Sequence, residues 1–148
     1  MIHRILYRLL SQSANIANKV GVRIYQDRAP QKTTGDYIVI TRVSASPEYH
    51  LTAESDCAVD IIQLAYVSTS RAAAEAGFNL IRNRISGYRG DVTYLADDGT
   101  YAAGNISECT CIRGALTVEM AGDASDKYRF LCSSDYQIFS SQSVPTLT

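Results

Sequence analysis

The stretch Cys57–Val67, Cys-Ala-Val-Asp-Ile-Ile-Gln-Leu-Ala-Tyr-Val, followed almost at once by the helical pattern Arg71–Ile85, constrains the fold of this chain more than any other. In an extended strand Ile62, Leu64 and Tyr66 point to one side, and Val59, Ile61, Ala65 and Val67 to the other. Apolar residues on both faces mark a central strand. Ser68-Thr69-Ser70 offers hydroxyls as an N-cap, and Ala74, Phe78, Ile81 and Ile85 recur at spacings of four, three and four, which stacks them on one helical face. A strand and its covering helix follow, and the other segments should add strands beside it or cover over its sheet.

Upstream, Ile2, Ile5, Leu6, Leu9 and Leu10 form the stripe of an amphipathic helix, with Arg4 and Arg8 on the solvent side. Ser13 is placed to cap a second helical piece through Val20, Ile16 and Val20 inward, with Gly21 as terminator. Val22–Tyr25 reads as extended, Arg28–Asp36 as irregular, and Tyr37–Val43 as a strand rich in β-branched residues. Ser44–Asp56 contains Pro47 and is too long for a tight turn, so it is a crossover, an extended hairpin arm or an interaction loop. Downstream, Val92–Leu95, Asp97-Asp98-Gly99 and Thr100–Ala102 suggest a small hairpin; Glu108–Met120 reads as a strand with Gly114 as its bulge, and Tyr128–Phe139 as the last strand. The expected fold is α+β: a single domain over residues 1–139, with a four-stranded, mostly antiparallel sheet and two or three helices on one face, then a flexible tail at 140–148.

Composition narrows function. With 148 residues, 46% apolar and 20% charged, the chain has the makeup of a soluble globular domain, and no stretch approaches the roughly 20 apolar residues of a membrane span. A formal net charge of −1 argues against a general phosphate-neutralising surface. Cys57, Cys109, Cys111 and Cys132 form no Cys-x-x-Cys pair and no export signal precedes them, so all four are expected to be free thiols. His3 and His50 lie in no ligand or catalytic motif, and Asp97-Asp98-Gly99 lacks the spaced oxygens of a calcium loop. There is no phosphate loop, dinucleotide fingerprint or nucleophile elbow. No enzyme, cofactor or metal is expected. Ser44–Asp56 and Asp91–Asn105 are longer than their connections require, and Pro47, Glu48, Tyr49, His50 and Leu51 mix anchors with polar groups as interfaces do. Both segments are expected to meet neighbours instead of completing the core.

The order of motifs resembles the tail completion (tail terminator, or tail-to-head joining) proteins of long-tailed bacteriophages. Its carriers are the opening helix Ile2–Leu10, Gly21-Val22-Arg23-Ile24-Tyr25, Arg28-Ala29-Pro30-Gln31, Tyr37-Ile38-Val39-Ile40 into Arg42-Val43-Ser44, and Ser46-Pro47-Glu48-Tyr49. Ile61-Ile62-Gln63-Leu64, the Ala-rich helix from Ser70, Tyr128-Arg129 and Ser134-Asp135-Tyr136-Gln137-Ile138 complete it, while Asp91–Asn105 is longer than the usual link. The resemblance implies a non-enzymatic virion protein, assembled in the host cytoplasm, whose copies form a hexameric ring. That ring would cap the tail tube, join it to the head connector or stopper protein, and let DNA pass without sequence-specific binding. A neck or head-completion ring protein of the same virion is the alternative reading, and a small-ligand-binding module or enzyme a more distant one.

Overall fold

The computed structural model describes residues 2–30, 33–49, 54–120 and 128–141; side chains at 45–49, 54–57, 117–120, 128 and 141 fall outside that description. Helix α1, Ile2–Ser11, buries all five residues of its predicted stripe. Each fully buried Ile or Leu contributes about 1.5–3 kcal/mol, so α1 is a principal piece of the core. Helix α2, Ala14–Val20, buries Ile16 and Val20 and ends at Gly21, whose φ is 57°. Ser13 occupies the predicted N-cap position, but its hydroxyl makes no capping bond. The Ser70 hydroxyl does cap helix α3, Arg71–Ile85, accepting from the Ala73 N–H.

The buried face of α3 consists of Ala74, Gly77, Ile81 and Ile85, with Phe78 only half-buried at its margin. The predicted face is corrected by one position, Gly77 in place of Phe78, because Gly77 lies directly against the Tyr66 ring of the sheet. A Cβ there would lie 2.3 Å from the Tyr66 ring. Gly104 makes a comparable approach, where a Cβ would meet Ile5 of α1 at 2.5 Å.

Among the described residues six strands form one sheet: β1 (Ile24–Gln26), β2 (Tyr37–Tyr49), β3 (Glu54–Ser68), β4 (Gly90–Leu95), β5 (Tyr101–Met120) and β6 (Tyr128–Ser141), in the order β1-β2-β3-β6-β5-β4. Of the pairings among the described residues, β1–β2 is parallel and the other four are antiparallel. The α+β class with helices on one face stands, while the expected four strands become six. Strand β1 overlaps the stretch Val22–Tyr25, expected to be extended but not counted among the four strands, and it pairs over just three residues. Of Thr100–Ala102 and Glu108–Met120, expected as separate pieces, Tyr101, Ala102 and Glu108–Met120 belong to one 20-residue strand, with Thr100 just outside it. Its bulges fall between Ile106 and Glu108 and between Cys111 and Arg113, not at Gly114, which lies against the Phe78 ring.

Strand β3 is central. Ile62, Leu64 and Tyr66 are fully buried, and Ala65 and Val67 on the opposite face are buried as well. Facing rows from β6 place Tyr136 beside Ile62 and Cys132 beside Tyr66. Tyr66 also donates a 2.7 Å hydrogen bond from its hydroxyl to Asp36; burial first, and that carboxylate second, push its pKa up. The sheet curls about α1, which packs on β4 at one edge and on β2 near the other.

Two expectations about residues 91–105 separate here. The hairpin exists, closed by Ala96 N–H to Thr100 O, yet it is part of the core: Val92, Tyr94 and Gly104 are buried beneath α1. The expectation that this segment leaves the core alone is therefore wrong. Its extra length supplies a strand pair that covers the flank of α1.

Cys109, Cys111 and Cys132 are free thiols, and Cys57 falls outside the side-chain description. Burial pushes the Cys109 thiol up to about 12, so it stays protonated and inert at neutral pH. Alkylation in denaturant without reductant should add four labels to the intact mass. Fewer labels, restored by prior reduction, would reveal a bridge.

Candidate functional site

The described residues contain no group of three His, Cys, Asp or Glu side chains able to hold a metal ion, and no helix long and apolar enough to cross a membrane. The acidic turn at Asp97-Asp98-Gly99 is a structural device. Asp98 accepts from the Thr100 hydroxyl at 2.6 Å and from the Thr100 N–H at 2.9 Å, and these bonds lower its pKa. Two other features stand out, a long hairpin arm and a groove.

The arm is the β2–β3 hairpin. Residues 44–56, left in sequence between crossover, hairpin arm and loop, form the hairpin arm: the ladder continues through Ala45↔Asp60, Ser46↔Val59 and Pro47↔Ala58 to Tyr49↔Glu54. Pro47 is tolerated because β1 stops pairing at Gln26↔Ile40, so β2 runs on beyond it as an edge. Of the five candidate interface residues, the backbone of Pro47, Glu48 and Tyr49 lies in the arm, with side chains outside the description; His50 and Leu51 lie outside the described residues.

At the root of the arm the ladder shifts register between Arg42 and Ser44, leaving Val43 exposed. There Arg42 donates from Nε and Nη2 to one carboxylate oxygen of Asp60, at 2.9 and 2.5 Å. Asp60 is only 2% exposed, whereas the Arg42 side chain is more than half exposed. A buried carboxylate needs such a partner, so the pair ties the arm's base to the central strand.

The groove is formed by sequence-distant pieces that the sequence reading did not join. Its floor is α1, its walls are β1 and the β4–β5 turn, and its volume is about 370 Å³. Tyr7, Leu95 and Tyr101 project around it, Tyr101 at 73% exposure. Arg4 and Arg8 supply positive charge. Arg4 is held by an ion pair with Asp97 and donates from Nη1 to the Leu95 carbonyl at 3.0 Å, while its Nε is buried without a hydrogen-bond partner. His3 lines the same groove; burial, the N-terminal charge and Arg4 lower its pKa, so at neutral pH the arginines carry the charge.

The described residues thus build an α+β sheet with a long β2–β3 hairpin and a groove lined by aromatic and basic side chains. The comparisons give this fold its family. The family model described as "Tail completion protein gp17" matches residues 4–117. This chain belongs to that family of structural virion tail proteins, and it is not an enzyme. Comparison with curated proteins yields no match. Among solved structures, a chain from "Virion of native gene transfer agent (GTA) particle" is similar in fold, with a TM-score of 0.62 at 16% identity, over 93% of this chain and 94% of that one.

Proposed function

We propose that copies of this chain assemble into a ring, hexameric as the family resemblance implies, that caps the tail tube and joins the tail to the head connector. The observation that carries this reading is the match of a tail completion family over residues 4–117. The long β2–β3 arm supports it, since a ring needs two different patches on each subunit that meet as the rotation closes. The turn end of such a hairpin could reach a neighbour without disturbing the subunit's own packing. DNA would pass through the lumen without base-specific contacts, consistent with a net charge of −1.

The test replaces Pro47–Leu51 with a Gly-Ser linker of equal length. The variant is expected to fold, with an unchanged circular dichroism spectrum, yet to remain monomeric and to leave tails unjoined to heads. Normal assembly together with restored infectious particles would show the arm's tip to be only a connection.

A further inference from the structure

We propose that the groove between α1, β1 and the β4–β5 turn is a strand-docking site, which takes an extended acidic segment of a different protein as an added strand on the outer edge of β1. The inference stands whether or not copies of this chain form a ring.

The backbone supplies the first half of the argument. The sheet ends at β1 on one side and at β4 on the other, and both edges border the groove. An edge strand presents unpaired N–H and C=O groups, which folded proteins block unless another chain is meant to pair there. The edge of β4 is blocked by side chains: Arg4 donates to the Leu95 carbonyl at 3.0 Å, and the Tyr88 hydroxyl to the Asp91 carbonyl at 3.5 Å. The edge of β1 is open. The Ile38 N–H donates to the Arg23 carbonyl at 3.0 Å and the Asp27 N–H to the Ile40 carbonyl at 2.9 Å, so residues 23, 25 and 27 turn their backbone groups to β2. Ile24 and Gln26 turn theirs the other way, beside the groove they line. The Ile24 N–H is taken by the Val22 carbonyl and the Gln26 carbonyl by the Arg28 N–H. That leaves the Ile24 carbonyl and the Gln26 N–H, one acceptor and one donor, without a partner among the described residues. A strand laid along β1 satisfies both.

The side chains select the kind of strand. Among the described residues no carboxylate lines the groove, whereas His3, Arg4 and Arg8 do. Arg4 is shared with Asp97, but Arg8 is exposed and has no ion-pair partner there. Tyr7, Leu95 and Tyr101 stand exposed around the opening, as anchors do at interfaces. A segment mixing carboxylates with apolar residues suits the arginine and the tyrosines together. The occupant is a different protein because every described strand of this chain is already paired in its own sheet, and residues 142–148, Gln-Ser-Val-Pro-Thr-Leu-Thr, carry no acid.

Fluorescence anisotropy with a fluorescein-labelled peptide, Glu-Val-Glu-Leu-Glu-Val-Glu-Leu, tests this beside the same peptide with lysine for glutamate. The acidic peptide is expected to bind one-to-one, and the lysine peptide at least about tenfold more weakly. Arg8→Glu should weaken the acidic peptide by about tenfold or more through like-charge repulsion. Gln26→Pro should do the same by removing the edge donor, while Arg82→Asp, outside the groove, leaves binding unchanged. No binding of the acidic peptide, equal affinity for both peptides, or full affinity in Arg8→Glu would overturn the proposal. Full affinity in Gln26→Pro would also overturn it, since side chains would then be captured without an added strand. So would loss of self-association in either variant, which would assign the groove to a second copy of this chain. Should Gln26→Pro lose its fold by circular dichroism, hydrogen exchange at the Gln26 amide carries the test: bound acidic peptide should slow it about tenfold or more, and unchanged exchange would count against the docked strand.

Discussion

Ile81→Asp is expected to leave the chain largely unfolded at room temperature, whereas Arg82→Asp, one residue on, should melt within a few degrees of the unsubstituted protein. Ile81 is 1% exposed and sits in the middle of the face that α3 turns to the sheet, between Gly77 and Ile85. An aspartate there is either a buried unpaired charge or a neutral carboxyl bought by a large pKa shift, and both cost several kcal/mol beyond the lost apolar contacts. Domains of this size have about 5–15 kcal/mol in total. Arg82 is exposed, and its replacement removes one favourable charge from the last turn, worth about 0.3–1 kcal/mol. Urea titration of both variants reads the contrast directly, and similar midpoints would mean that α3 does not present this face.

Gly77→Ala is the second large effect, and its sign depends on Tyr66. On an exposed helix the substitution would stabilise by up to about 1 kcal/mol. Here the added methyl would start 2.3 Å from the ring, while carbon atoms pack at roughly 3.5–4.0 Å, so α3 and β3 must part by more than an ångström. Overpacking of that kind costs about 1–3 kcal/mol, and the size of the overlap places this case at the upper end, for a net loss of about 2 kcal/mol. Separation of the helix also strains the Tyr66 hydroxyl bond to Asp36. In a Tyr66→Ala background the obstacle is gone, and Gly77→Ala should become neutral or stabilising. A double-mutant cycle measures that reversal. Additive effects would show that helix and ring do not touch.

These two residues also show what was legible in the sequence. Strand β3 and helices α1 and α3 declare themselves because repeated apolar residues report directly on buried faces; all five α1 residues expected inside are inside. Gly77 has no side chain to report its burial, so Phe78 reads as the face and turns out to be its margin. The arm was legible only as one of three choices for residues 44–56, because proline and polar residues interrupt any strand alternation there, while the ladder that organises it is set by pairing with β3. Ala102-Ala103-Gly104-Asn105 has weak strand propensity, yet it completes β5 because Gly104 must admit Ile5. The groove was not legible at all. Arg8, Tyr25 and Tyr101 are far apart in sequence, and only the curl of the sheet about α1 brings them together.

The central claim, a ring that completes the tail, is tested most directly by cryo-electron microscopy of purified tail tubes mixed with the protein. A closed ring of identical subunits is expected on the end of each tube that faces the head, with the arm of each subunit reaching the next. Tubes that remain bare, or ring density found on isolated heads and never on tails, would contradict the account.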